Sequence, residues 1–170
     1  MKNGFSFVSL LVIASLLVSG LSLAIPSNAL ALKSADPVEE ALTRAYKTEQ
    51  QWLNKQQQAV NKVDQAATEV QQVIDKAAAA GLDVTALQNA LAMFNTSMAD
   101  VKSGHQTAAN ILAAHNGFDN DGNVTDRQAA RITVLDAKQA LWRTHVTMTQ
   151  AVSDLYRAVK EWKQVTLPQE

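Results

Sequence analysis

Gly117-Phe118-Asp119-Asn120-Asp121-Gly122-Asn123-Val124-Thr125-Asp126-Arg127-Gln128 is the stretch on which the fold turns. It is the one long run of the mature chain with neither helical periodicity nor good helix formers, and both of its flanks read as long helix. It is therefore read as the turn of a large helical hairpin. Gly117 suits the left-handed conformation that ends a helix. Thr125, followed three residues later by Gln128, makes a capping box in which hydroxyl and amide satisfy first-turn N–H groups reciprocally. A second reading is a calcium loop. With Gly122 at the sixth position, Asp119, Asp121 and Asn123 fall at the third, fifth and seventh. Gly117 and Gln128 then stand at the first and twelfth positions, where carboxylates are expected, so the plain turn is the simpler reading.

Toward the N-terminus, the pattern predicts a helix over 84–116, opened by Asp83 or Thr85. Its apolar seam is Val84, Leu87, Leu91, Phe94, Met98, Val101, His105, Ala108, Leu112 and His115, in alternating threes and fours. Gly104 inside it marks a close approach of another helix. Gly81 separates it from a helix over 36–80. That helix has Asp36 as N-cap, Pro37 at the first helical position, and Glu39 and Glu40 in the positive first turn. Its seam is Leu42, Tyr46, Glu49, Leu53, Gln56, Val60, Val63, Ala67, Val70, Ile74 and Ala77, with Glu49 and Gln56 as polar interruptions.

Beyond the turn a third helix is predicted over 125–165, ending before Pro168. Its seam is Ala130, Val134, Ala137, Leu141, His145, Met148, Val152, Leu155, Val159 and Trp162. The expected fold is all-α: an elongated antiparallel three-helix bundle, coiled-coil-like, following an N-terminal signal peptide. At about 1.5 Å per residue the helices would run roughly 65, 48 and 60 Å. A turn centred near Asn120 sets level those positions of the second and third helices whose numbers sum to about 240. His145 then falls level with Asn95, far from His105, so His105, His115 and His145 cannot share a metal. The same rule sets Trp142 level with Met98 and Trp162 near Leu82, both as core residues, with Trp52 flanking the seam.

Residues 1–31 read as a signal peptide. Lys2 supplies the basic start, an uncharged apolar run follows, Pro26 breaks it, and Ala29-Leu30-Ala31 fits a small-residue cleavage site. Residues 32–35 form a linker and 36–170 the bundle. The apolar run is also long enough to anchor the chain if it is not cut, so membrane contact is expected only through an uncleaved leader. The expected location is periplasmic, extracellular or cell-surface. The chain has no cysteine, which removes disulfides, thiol nucleophiles and Cys-ligated zinc. Lys and Arg number 15 against 16 Asp and Glu, and no basic stripe supports a nucleic-acid role. No catalytic constellation and no cofactor motif is present, so the chain is not read as an enzyme.

Val84-Thr85-Ala86-Leu87-Gln88 and Val124-Thr125-Asp126-Arg127-Gln128 share V-T-x-x-Q at an offset of 40, as a duplication or as two capping boxes. Both segments resemble the L-T-x-x-Q signature of small exported helical proteins that include periplasmic stress chaperones, with Val in place of Leu. That resemblance implies an α-helical, cradle-shaped dimer that holds unfolded clients. No functional residue is carried over from it.

The leading expectation is a non-enzymatic protein-interaction or spacer module whose polar seam residues favour self-association. The chaperone-like reading is the alternative. A third is weak metal or haem binding. Asp119, Asp121 and Asn123 are the calcium candidates. His145, Met98, Met148 and Met93 are the candidates for a soft ion such as Cu(I), since thioether and imidazole suit it, and a His/Met pair can also hold haem iron.

Overall fold

The computed structural model describes residues 36–166. The predicted signal peptide and linker, and the last residues of the chain, lie outside the described residues. Three helices make up the described fold: α1 (Pro37–Ala79), α2 (Thr85–Ala114) and α3 (Arg127–Thr166). Among the described residues there is no strand, only an isolated antiparallel bridge between Phe118 and Val124. No helix among them is long and apolar enough to cross a membrane.

The helix ends follow from side-chain chemistry. Asp36 caps α1: its Oδ1 accepts from the Val38 N–H at 2.9 Å and its carbonyl from the Glu40 N–H. At the other end Gly81, with φ +79°, closes α1. The Leu82 N–H reaches the Ala77 carbonyl and the Gly81 N–H the Ala78 carbonyl, the paired bonds of a left-handed helix stop. Asp83 Oδ1 accepts from the Thr85 N–H and opens α2.

Two expectations at the turn are corrected. α2 stops at Ala114, not 116, because His115 already has φ +38°. The cap of α3 is Asp126, not Thr125: Asp126 Oδ1 accepts from the N–H groups of Gln128 and Ala129 at 2.8 and 3.0 Å. A carboxylate beside the positive helix end outcompetes a hydroxyl one residue earlier. The two V-T-x-x-Q segments consequently sit in different helical phase. Thr85 is the first residue of α2, whereas Thr125 precedes the cap of α3.

Every residue of the three predicted seams is buried or half-buried. The described chain divides into two compact units, and each helix contributes a segment to each of them. One unit holds residues 61–98 and 149–166. There Val63, Val70, Phe94, Val152, Leu155 and Val159 line a small apolar gap, and the Trp162 Nε1–H donates to the Asp83 carbonyl at 2.7 Å. Trp162 thus closes its seam near Leu82, as expected. The packing of helical segments is compatible with a bundle.

The second unit holds residues 36–60 and 99–148. Its core gathers Tyr46, Leu112, Phe118, Ala130, Val134 and Ala137. Tyr46 and Phe118 stack with centroids 4.3 Å apart, and the Tyr46 hydroxyl donates to the Leu112 carbonyl at 2.8 Å. That carbonyl lies in the last turn of α2, where no helical N–H follows to satisfy it.

Candidate functional site

Three features of the second unit carry polar or exposed chemistry. The first is the interruption of the apolar seam. The Gln56 Nε2 amide donates to the Leu141 carbonyl at 3.0 Å, and its Oε1 lies 3.1 Å from His105 Nδ1. A carbonyl only accepts, so the amide nitrogen must face Leu141 and the oxygen must face His105. The imidazole therefore carries its proton on Nδ1. Burial holds the His105 pKa below its usual value. Two helical turns away on α1, Glu49 is 6% exposed and its Oε2 is buried without a hydrogen-bond partner. Burial pushes the Glu49 carboxyl up, and the nearby Lys138 charge draws it partly back.

The second feature is the turn. Asp119 organises it from within. Its Oδ1 accepts from the N–H groups of Asp121 and Asn123, and its Oδ2 from the Asn123 side-chain amide. These donors hold its carboxyl below the usual carboxylate range, the Asn123 side chain most of all. Both oxygens of the first calcium candidate are thus occupied by loop donors, and Asn123 turns its amide nitrogen toward Asp119. Tyr46, Lys47, Gln50 and His115 line a polar cleft together with Asp119 and Asp121. Among the described residues no group of three or more His, Asp or Glu side chains is placed to hold a metal.

The turn is also not centred on Asn120. A Cβ on Gly104 would collide with Thr144 Oγ1, and Thr133 Oγ1 donates to the Asn116 carbonyl. Gly104 and Thr144 have their midpoint at position 124. The reason lies in the loop. The Thr125 and Asp126 N–H groups both donate to the Gly117 carbonyl, so the tip closes on itself and the first turn of α3 starts beside Gly117. The expected level rule is off by about two helical turns. His145 stands near position 103 of α2, not Asn95, and its ring lies 6.4 Å from Trp52 and 6.1 Å from Trp142. Of the soft-metal candidates, Met98 and Met148 are 2% exposed but Met93 is 73% exposed, so Met93 is not part of an inward layer. Met98 belongs to one unit and His145 and Met148 to the other.

The third feature is a stripe of exposed apolar side chains on α3. Ile132 and Leu135 are each 52% exposed, Trp142 58% and Val146 48%. Trp142 is thus a surface residue, contrary to the expected core position. With exposed Gln139 the positions run 132, 135, 139, 142, 146, a second three–four repeat on the outer side of the helix. α1 and α2 each show a single exposed large apolar residue, Val38 and Met93. The buried seam masked this stripe in the sequence, because two apolar repeats on one helix compete for the reading and only one faces the core. The signal that could have revealed it was the excess of apolar residues on α3 beyond one seam.

The chain matches no protein-family profile, no curated protein and no solved structure.

Proposed function

We propose that the chain is an exported, non-enzymatic module that works by protein–protein contact through the outer stripe of α3. The observation that carries this reading is the exposure of Ile132, Leu135, Trp142 and Val146 on one face of one helix. An exposed apolar stripe of that kind is costly to leave in water and marks interaction surfaces, with tryptophan among the residues that most often anchor them. In the finer fold reading, the helices form an elongated antiparallel three-helix bundle, coiled-coil-like, released by cleavage after Ala31. The three seams and the tight Gly81 connection support it.

A photo-reactive amino acid at position 142, introduced in the producing cell, tests the reading. Covalent protein adducts at 142, absent with the same group at exposed Lys62, support it. Equal labelling at both positions, or none, removes it. The mass of the exported protein should correspond to a chain starting at Leu32.

The same stripe also suits the holding of unfolded clients. That reading predicts suppression of client aggregation without ATP, at near-stoichiometric ratio, and its loss in Trp142→Ser.

A further inference from the structure

We infer that the partner of the α3 stripe is a second copy of this chain, docked antiparallel through α3 against α3. The inference rests on the reading of the stripe as a contact face, and the charges along its edges carry it further. On the repeat Ile132, Leu135, Gln139, Trp142, Val146, one flank is held by Asp136 and Arg143, seven residues apart and both exposed. Among the described residues neither makes an ion pair within the chain.

A two-fold axis perpendicular to two antiparallel helices lays each flank against the same flank of the partner. With that axis between Gln139 and Trp142, Asp136 faces Arg143 of the second copy and Arg143 faces Asp136 of the second copy. Two opposite-charge pairs form from one sequence feature. In the same register Leu135 lies opposite Val146, and Trp142 packs beside Gln139 of the second copy, so these apolar side chains are withdrawn from water. The other flank brings Lys138 toward His145.

Parallel pairing is less favourable. It would set Arg131 beside Asp136, an attraction, but Lys138 beside Arg143, a repulsion. The apolar stripe spans residues 132–146, about 21 Å of helix. A contact of this length makes a weak, concentration-dependent dimer.

Sedimentation of the purified full chain with charge-reversed variants decides the matter. Wild type is expected to dimerise as concentration rises. Asp136→Arg and Arg143→Asp each place like charges opposite each other twice and should weaken the dimer about tenfold. Mixed together, the two variants should pair with each other, because each then supplies the charge that the other lacks. The double swap within one chain should restore self-association. Both positions are exposed, and unchanged helicity by circular dichroism confirms that each variant is folded.

Wild type that stays monomeric, or variants that dimerise as wild type does, overturn the inference. A monomeric wild type that still cross-links to a different protein at position 142 overturns self-pairing alone. A monomer with no cross-link overturns both readings.

Discussion

Gln56 and His105 share a hydrogen bond of 3.1 Å inside a largely apolar seam, and the Leu141 carbonyl fixes which end of the amide takes part. The bond needs a proton on Nδ1, and burial disfavours a second proton on the ring. The folded pKa therefore lies below the usual 6.5. His105 adds full stability above 6.5. As pH falls below that value the unfolded chain takes up the proton first, and stability drops until the folded value is passed. Heteronuclear NMR should find the Nδ1–H tautomer of His105 at neutral pH. Denaturation at stepped pH should show the acid loss shrink in His105→Gln, and an unchanged profile would contradict this account.

Glu49 acts in the opposite direction. Its folded pKa is raised above the usual 4.5, chiefly by burial. Between 4.5 and that raised value the folded chain keeps a proton that the unfolded chain has lost, so stability falls as pH rises through this window. Glu49→Gln should flatten that slope. Glu49→Leu should raise stability at pH 7 by on the order of 1 kcal/mol, because it replaces a buried unpaired oxygen with packing. A clear loss of stability in Glu49→Leu would mean that Lys138 contributes more than desolvation costs.

The seams were legible in the sequence to the last residue, from Leu42 to Trp162, because burial on a helix follows a simple period. So was the close approach at Gly104, from a glycine placed inside an apolar repeat. The register between α2 and α3 was not. It depends on backbone bonds within the turn, such as Thr125 and Asp126 to the Gly117 carbonyl, and no periodicity encodes these. The cap of α3 is hidden in the sequence for a related reason: Thr125 and Asp126 are both capping residue types, and only the placement of the loop decides between them. Trp142 is exposed because height along a helix does not fix its face: it follows the seam residue Leu141 by one position and so turns away from the core.

The Gly104–Thr144 approach predicts a measurable coupling. Gly104→Ala would press a methyl group into Thr144 Oγ1, which is itself held by the Ala140 carbonyl. The cost should be about 1–3 kcal/mol by chemical denaturation. In a Thr144→Ala background the obstacle is gone, and the same substitution should stabilise α2 by up to about 1 kcal/mol through helix propensity. Additive effects in the two backgrounds would argue against direct contact.

Two left-handed glycines should respond differently to alanine. At Gly81 the added Cβ meets nothing within 4 Å, so only the backbone conformation is penalised, by about 1 kcal/mol. At Gly117 the Cβ would run into the Ala130 nitrogen and the Asp126 carbonyl, which are backbone atoms of the α3 start. Gly117→Ala should cost more than about 2 kcal/mol, since conformation and collision add. Similar melting midpoints for the two variants would show that the α3 start can shift aside.

The three tryptophans report the distribution of surface and core. Trp162 is buried and donates to the Asp83 carbonyl, Trp52 is half-buried beside His145, and Trp142 is exposed. Iodide should quench Trp142 readily at low protein concentration and leave Trp162 dark to the quencher. Trp142→Phe should therefore remove most of the quenchable emission, with the unfolding free energy changed by no more than about 0.5 kcal/mol. Trp162→Phe should leave quenching unchanged and lose about 1 kcal/mol with its hydrogen bond, more if the smaller ring leaves a cavity. If α3 pairs with a second copy, quenching of Trp142 should also decline as protein concentration rises, and in Arg143→Asp this decline should move to about tenfold higher concentration. Quenching that is independent of concentration in wild type would mean that the stripe remains open to water.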